Sequence, residues 1–291
     1  MQKNIASLME KHFPEDVCQL LKRIGVLAGE HNFLAYGVGG FIRDVFLNWK
    51  NLDLDISLEG DGLQFTKILA SQLGARVYFY PKYLTAYLIL SDGLRIDIAT
   101  ARQETYSQPA VMPVVTASSM QKDLRRRDFT LNAIAVSLHP RNYGTLYDPF
   151  AGQKDLAKKL VRVLHEKSFI DDPTRIFRAL RFASRYHFAI EQETNKLLLA
   201  ALKRNLPALL SPHRLRDELQ AILDEPQAEA ILQQLENLGV LKYFHPELKM
   251  VSPWPDLTTA QEGLAFLLQP LPEKEKKAFF VRLGWPKKER K

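Results

Sequence analysis

Cysteine is all but absent from this chain: Cys18 is the single one among 291 residues. One thiol excludes an intramolecular disulfide and a cysteine-ligated zinc site, and it fits a reducing cytoplasm. No run of about 18 apolar residues occurs, which excludes an apolar membrane-spanning helix. The opening residues, MQKNIASLMEKHFPEDV, contain no apolar h-region, so no secretory signal is expected. The seven histidines are scattered with no H-x-x-x-H pair, and no Ser-His-Asp set can be nominated. The pattern G-x-x-x-x-G-K-[ST] is missing, which leaves a P-loop ATPase unsupported. Internal repeats and low-complexity segments are missing too.

What is present is an ordinary globular composition, 46% hydrophobic and 25% charged. The length suggests two domains. Forty basic residues against 33 acidic ones leave a formal charge of +7, with a pI near 9.3. That balance favours an anionic partner, nucleic acid first.

Residues 39–56 read GGFIRDVFLNWKNLDLDI, and the rest of the chain is organised around them. Residues 34–38 (LAYGV) form a short strand running into Gly39-Gly40, where backbone N–H groups can approach a ligand closely. A short helix over 41–48 follows. A helix start after glycines suits phosphate, and Arg43, next to Asp44, offers a charge with forked geometry. In the strand over 52–58, Leu52, Leu54 and Ile56 alternate with Asp53 and Asp55. Alternation turns the apolar side chains to a core and both carboxylates to the other face. Paired carboxylates beside a glycine turn suit Mg²⁺ and phosphate, since hard cations take oxygen ligands.

The apolar spacing of Val17, Leu20, Leu21, Ile24 and Leu27 predicts a helix over 4–30. A helix over 63–73 stops near Gly74. Strands follow over 75–80, 84–90 and 94–99, with Ser91-Asp92-Gly93 as a hairpin turn. In the last of these, Arg95 and Asp97 face away from Leu94, Ile96 and Ile98. Asp97 reads either as a third carboxylate near Asp53 and Asp55 or as a surface residue. Residues 101–122 carry two prolines and no clear period, so they read as a long loop. In 123–138, DLRRRDFTLNAIAVSL, helix and strand are both open, and Arg125, Arg126 and Arg127 lie against Asp123 and Asp128. The turn YDPFAG at 147–152 reads as a domain boundary.

After Gly152 the chain reads as helical throughout. Asp171-Asp172-Pro173 opens a helix with an aspartate cap and Pro in the first turn. Ile176, Ala179, Leu180 and Ala183 form its apolar face. Arg175, Arg178, Arg181 and Arg185 form a basic edge with no acidic residue from Thr174 to Ala189. Such an edge lacks i,i+4 ion pairs and repels itself unless an anion is bound. Asp171 and Asp172 stand within reach of Arg175 and Arg178. Further helices are expected over 193–209, 212–223, 226–239, 259–269 and 272–283, followed by the basic tail PKKERK.

Together these pieces resemble the tRNA nucleotidyltransferase/poly(A) polymerase family of bacterial type, the class II CCA-adding enzymes. GGFIRD followed by LDLDI is similar to the family's first catalytic motif. RRDFTLNA (126–133) resembles its ribose-recognition motif, and DDPTRIFRALRFASR its base-recognition helix. SPHRLRDEL and FHPEL resemble later helical segments. The ordered match covers roughly residues 30–190, with weaker similarity to about 247.

The resemblance implies an α+β protein: a nucleotidyltransferase head over 1–150 with a small mixed sheet, a helical neck over 151–225 and a helical body over 226–291. It implies addition of CMP or AMP from CTP or ATP to the 3′ end of tRNA without a template. Asp53 and Asp55, and in one reading Asp97, would hold two Mg²⁺ ions. Gly39, Gly40 and Arg43 would cradle the triphosphate, with Asp44 in the same nucleotide-binding set, and Arg127, Asp128 and Asn132 would contact the ribose side. Asp172, Arg175 and Arg178 would face the base, and Arg181 would help with phosphate or base. The partners implied are an RNA primer and a nucleotide, with no membrane and no protein partner evident. The chain departs from the family where Asp171 replaces a glutamate. Its 101–122 segment, with Arg102 and Glu104, is closer to relatives that add part of CCA, and in the family that segment bears on switching between C and A. The chain is short for the family, which implies a reduced tRNA-gripping tail. Full CCA addition stands first, ahead of CC-only or A-only addition and of poly(A) synthesis. An RNA-binding protein without activity is the alternative of another class.

Overall fold

The computed structural model describes residues 3–50, 52–257 and 259–286. Of the basic tail, 287–291 lie outside the described residues. The chain forms two compact units. One comprises 1–106, 113–158 and 162–165, and the other 107–112, 159–161 and 166–291.

The first unit opens with two helices, not one: α1 (Ala6–His12) and α2 (Glu15–Glu30). Pro14 divides them. Phe13, before the proline, is extended, and Pro14 caps the second helix. Then come β1 (Leu34–Val38), α3 (Gly40–Leu47), β2 (Leu54–Glu59) and α4 (Gly62–Leu73), which ends on left-handed Gly74. The strands β3 (Arg76–Tyr80), β4 (Thr85–Ile89) and β5 (Arg95–Thr100) follow.

Residues 101–122 are not a plain loop. They hold an antiparallel hairpin, β6 (Arg102–Thr105) and β7 (Val114–Ala117), and the start of α5 (Met120–Arg125). Pro109 and Pro113 fall in its turn, where no ladder hydrogen bond is lost. Over 123–138 both helix and strand occur, since α5 is followed by β8 (Ala135–Ser137). β9 (Leu146–Tyr147) and α6 (Gly152–Ala157) complete the unit.

Seven strands form one mixed sheet in the order β3-β4-β5-β2-β1-β8-β9. β2 and β5 run parallel and the other neighbours antiparallel. Leu54, Ile56, Leu58, Leu88, Ile96 and Ile98 are buried with Phe65 and Leu69 of α4. Leu52 differs from the expectation: it precedes the strand and is exposed.

The second unit is mainly helical, but not throughout. β10 (Leu160–Val161) and β11 (Ala189–Ile190) make a short parallel pair. Its helices are α7 (Ser168–Asp171), α8 (Thr174–Tyr186), α9 (Gln192–Lys203), α10 (Pro212–Leu223), α11 (Ala228–Asn237), α12 (Ala260–Leu268) and α13 (Glu273–Arg282). The helix expected over 193–209 ends at Lys203, and a 3-10 turn covers Leu206–Leu209. Phe177, Leu219, Ile231, Phe244, Leu267 and Phe279 anchor a single apolar core.

Candidate active site

The first unit gathers the carboxylates. Leu54 and Ile56 are buried on one side of β2, which leaves Asp55 on the other. Asp53 lies just before the strand and is exposed. Asp97 of β5 stands directly opposite Asp55 in the parallel register. Burial raises the Asp55 carboxyl from 3.8 to about 6. Arg127 and Arg43 work against this, and the negative charges of Asp97 and Asp53 add to it. Asp97 itself is forked by Arg95 at 2.6 and 2.7 Å. No group of three or more His, Cys, Asp and Glu side chains disposed to hold a metal occurs among the described residues. Asp97 stands across from Asp55 and engages Arg95. Asp55, whose charge is resisted, and Asp53 two residues before it offer oxygen donors that suit a hard cation.

Gly39, with φ +69°, makes the turn between β1 and α3. A Cβ there would stand 2.5 Å from Arg127 Nη1 and 3.7 Å from Asp55 Oδ2. The glycine thus lets the backbone approach the carboxylate and the guanidinium together. Arg127 Nε is buried with no hydrogen-bond partner, a donor suited to an anionic oxygen. Arg43 is placed otherwise than expected. It is 5% exposed, forks onto Asp44 at 2.7 and 3.0 Å, and donates to Asn132 Oδ1 at 2.7 Å. Asn132 in turn donates to Asp128 Oδ1 at 2.9 Å. Arg43 holds Asn132, and through it Asp128, in place, and a phosphate would have to displace existing hydrogen bonds to use the Arg43 fork.

A cleft of about 290 Å³ opens here, lined among others by Asp55, Asp97, Arg102, Arg126 and Arg127. Behind it lies an ion network centred on fully buried Asp123. Asp123 accepts from Arg126 at 2.8 Å and from Arg127 at 3.0 Å. Burial opposes its charge, but the two arginines outweigh burial and hold its carboxyl below the usual value. Arg126 also reaches Glu104 at 2.9 Å, and Arg102 reaches Glu104 at 3.4 Å. Arg102 and Glu104 thereby tie the β6–β7 hairpin to Arg126, which shares Asp123 with Arg127, the arginine that acts on Asp55.

The remaining candidates lie in the second unit. Asp172 sits two residues before α8, not at its cap, and accepts from Thr174 N at 3.0 Å. Arg214 of α10 also donates to Asp172. Arg175 is buried and donates to Ser168 Oγ at 2.7 Å. The Asp171 carboxyl is raised by burial, with Arg175 and Lys167 opposing. Ala110, in the turn of the hairpin, donates to the Asp171 carbonyl at 3.3 Å and accepts from Arg214 Nη1 at 2.9 Å.

The basic edge of α8 is not self-repelling. Glu225, 4% exposed, meets Arg181 at 3.7 Å and accepts from Arg185 Nε at 2.8 Å. Burial raises the Glu218 carboxyl, and Arg178 and Arg181 pull it down. Glu218 and Glu225 supply the countercharge that the helix's own sequence lacks. Arg214, Glu218 and Glu225 were missed as site residues. Arg214 and Glu218 lie in the string SPHRLRDEL, which marks a helix start and says nothing of its partners, and Glu225 lies beyond it. Among the described residues no helix is long and apolar enough to cross a membrane.

The chain has close relatives among known proteins. The model of the poly A polymerase head domain matches residues 35–162. That of the probable RNA and SrmB-binding site of polymerase A matches 187–251. The A-adding tRNA nucleotidyltransferase of Geobacter sulfurreducens is 40% identical over 247 residues, 85% of this chain and 28% of that protein. The A-adding enzyme of Halalkalibacterium halodurans is 40% identical over 239 residues, 81% of this chain and 56% of that protein. The chain thus spans about a quarter to just over half the length of these curated relatives. The Thermotoga maritima CCA-adding enzyme, solved in complex with tRNA, superposes with a TM-score of 0.84 at 33% identity, covering 99% of this chain and 72% of that one.

Proposed function

The chain belongs to the tRNA nucleotidyltransferase/poly(A) polymerase family, and from that premise we propose that it transfers a nucleotide from ATP or CTP to the 3′ end of tRNA without a template. One observation carries the reading: a half-buried Asp55 whose charge is resisted lies against the Gly39 turn beside Arg127, whose Nε has no hydrogen-bond partner. The glycine turn lets the triphosphate approach. Arg127 binds its oxygens and is itself oriented by Asp123. Asp128 and Asn132, locked to Arg43, present the polar edge for the ribose. Asp53 and Asp55 would hold Mg²⁺, which when bound neutralises charge at the α-phosphate and activates the primer 3′-hydroxyl. The second unit supplies base recognition through Asp172, Arg175, Arg178 and Arg181, oriented by Ser168, Arg214, Glu218 and Glu225. Its neck and body segments serve as the RNA-binding part.

A-only addition now moves ahead of full CCA addition, because A-adding relatives reach 40% identity and the CCA-adding structure 33%. Full CCA addition remains the second reading, favoured by the near-complete superposition on that CCA-adding enzyme. The test uses three tRNA transcripts: one lacking CCA, one lacking only the final A and one complete. Each is incubated with Mg²⁺ and labelled CTP or ATP. Addition of A alone, to the second transcript alone, is expected. CTP incorporation into the first would restore full or CC addition. Activity retained in an Asp53→Ala/Asp55→Ala variant would sink the catalytic assignment.

A further inference from the structure

The face of the sheet that carries Asp55 continues outward into an aromatic row. Register sets Asp55 opposite Asp97, Asp97 opposite Tyr87, and Tyr87 opposite Tyr78. Cross-strand partners share a face, so one line of side chains runs from β2 to the edge strand β3. The Tyr78 ring stands 4.7 Å from that of Tyr87 with planes 17° apart. The Tyr80 ring stands 6.1 Å from it at 26°. The Arg95 guanidinium lies 4.2 Å over Tyr87 while it forks onto Asp97. Tyr78 is 42% exposed and Tyr80 50%.

Exposed rings on an edge strand gain little from burial and leave a surface open to unwanted pairing. Near-parallel rings beside a guanidinium are, however, the surface on which unpaired bases stack, because every base has a π face. Strands lie about 4.8 Å apart, so three steps from Asp55 to Tyr78 cover about 14 Å. At roughly 3.4 Å per stacked nucleotide that is about four nucleotides. A strand whose 3′-hydroxyl reaches Asp55 therefore has its next bases over this row.

We propose that Tyr78, Tyr80 and Tyr87, with Arg95, form a stacking platform for the unpaired bases just upstream of the primer's 3′ end. The proposal rests on the nucleotidyltransferase reading and adds where the RNA strand is held. Asp97 then serves as the anchor that fixes Arg95 over Tyr87.

The test uses the full chain and a tRNA transcript lacking its final A, with a fluorescent adenine analogue placed two nucleotides before the end. Tyr78→Ala/Tyr80→Ala should weaken RNA binding about tenfold or more and abolish the stacking quench of the analogue. Tyr78→Phe/Tyr80→Phe should keep both, because stacking needs the ring and not the hydroxyl. KM for the nucleotide should shift less than about twofold, since bound bases, not triphosphate, contact the platform. RNA affinity within about twofold of the unsubstituted protein, or a persisting quench, would overturn the platform and leave the rings to another partner class. If the unsubstituted chain neither binds nor extends the transcript, the nucleotidyltransferase reading itself fails and the platform falls with it.

Discussion

Asp55 sits where its own charge is resisted. Burial lifts its carboxyl to about 6, while an ordinary aspartate ionises near 3.8. The folded protein thus holds this proton more tightly than the unfolded chain does. Its contribution to stability is greatest below about pH 4, falls as pH rises to about 6, and stays low above that. Two pKa units correspond to about 3 kcal/mol. Asp55→Asn should therefore stabilise the metal-free protein by up to about 3 kcal/mol at about pH 8, and by almost nothing near pH 4. Urea unfolding at both pH values measures this, and an equal effect at the two would contradict it. The same variant should lose nucleotide incorporation, a trade of activity for stability that marks a functional carboxylate. At this scale the alternation of LDLDI was enough to separate Asp55 from its apolar neighbours. It could not show that Arg43 turns to Asn132, because that bond closes across 89 residues.

Helix α8 shows how far one element can be read by itself. Its apolar face, Ile176, Ala179, Leu180 and Ala183, is buried as the three- and four-residue spacing predicts. Its basic edge looks uncompensated in sequence, because the countercharges come from Glu218 in the middle of α10 and from Glu225 just beyond its end. Glu225→Gln keeps the volume and removes the charge that Arg185 forks onto, while Arg181 keeps Glu218, so it should cost about 2 kcal/mol. Chemical denaturation gives the number, and a loss under about 0.5 kcal/mol would mean that the arginines find other partners. The β6–β7 hairpin was illegible for a different reason. Its strands are largely half-buried or exposed, so Arg102–Thr105 shows no apolar alternation to detect. Pro14, by contrast, carried its own signal, since a proline cannot continue a helix whose N–H it lacks.

For the molecule as a whole, the charge of +7 argues for an anionic partner. Binding to tRNA should weaken linearly on a log–log plot against salt, with a slope of about −0.7 to −0.9 per neutralised phosphate. Anisotropy titrations at a series of KCl concentrations give that slope. Salt-insensitive transfer without RNA would point instead to a small-molecule nucleotidyltransferase. Most strands and helices, and the acidic strand, were legible in local sequence, because periodicity, glycine turns and proline breaks act over a few residues; the α+β class and the mixed sheet came from the resemblance of the ordered motifs to a known family. Only the tertiary structure decided that 107–112 belong with the second unit, that Arg214 meets Asp172, and that Asp97 anchors Arg95. It also decided that Asp55 is buried enough to resist its charge, and that three tyrosines line up beside it. Each of these depends on which strands and helices become neighbours. That choice is made by packing and charge compensation between residues far apart in the chain, where no sequence period reaches.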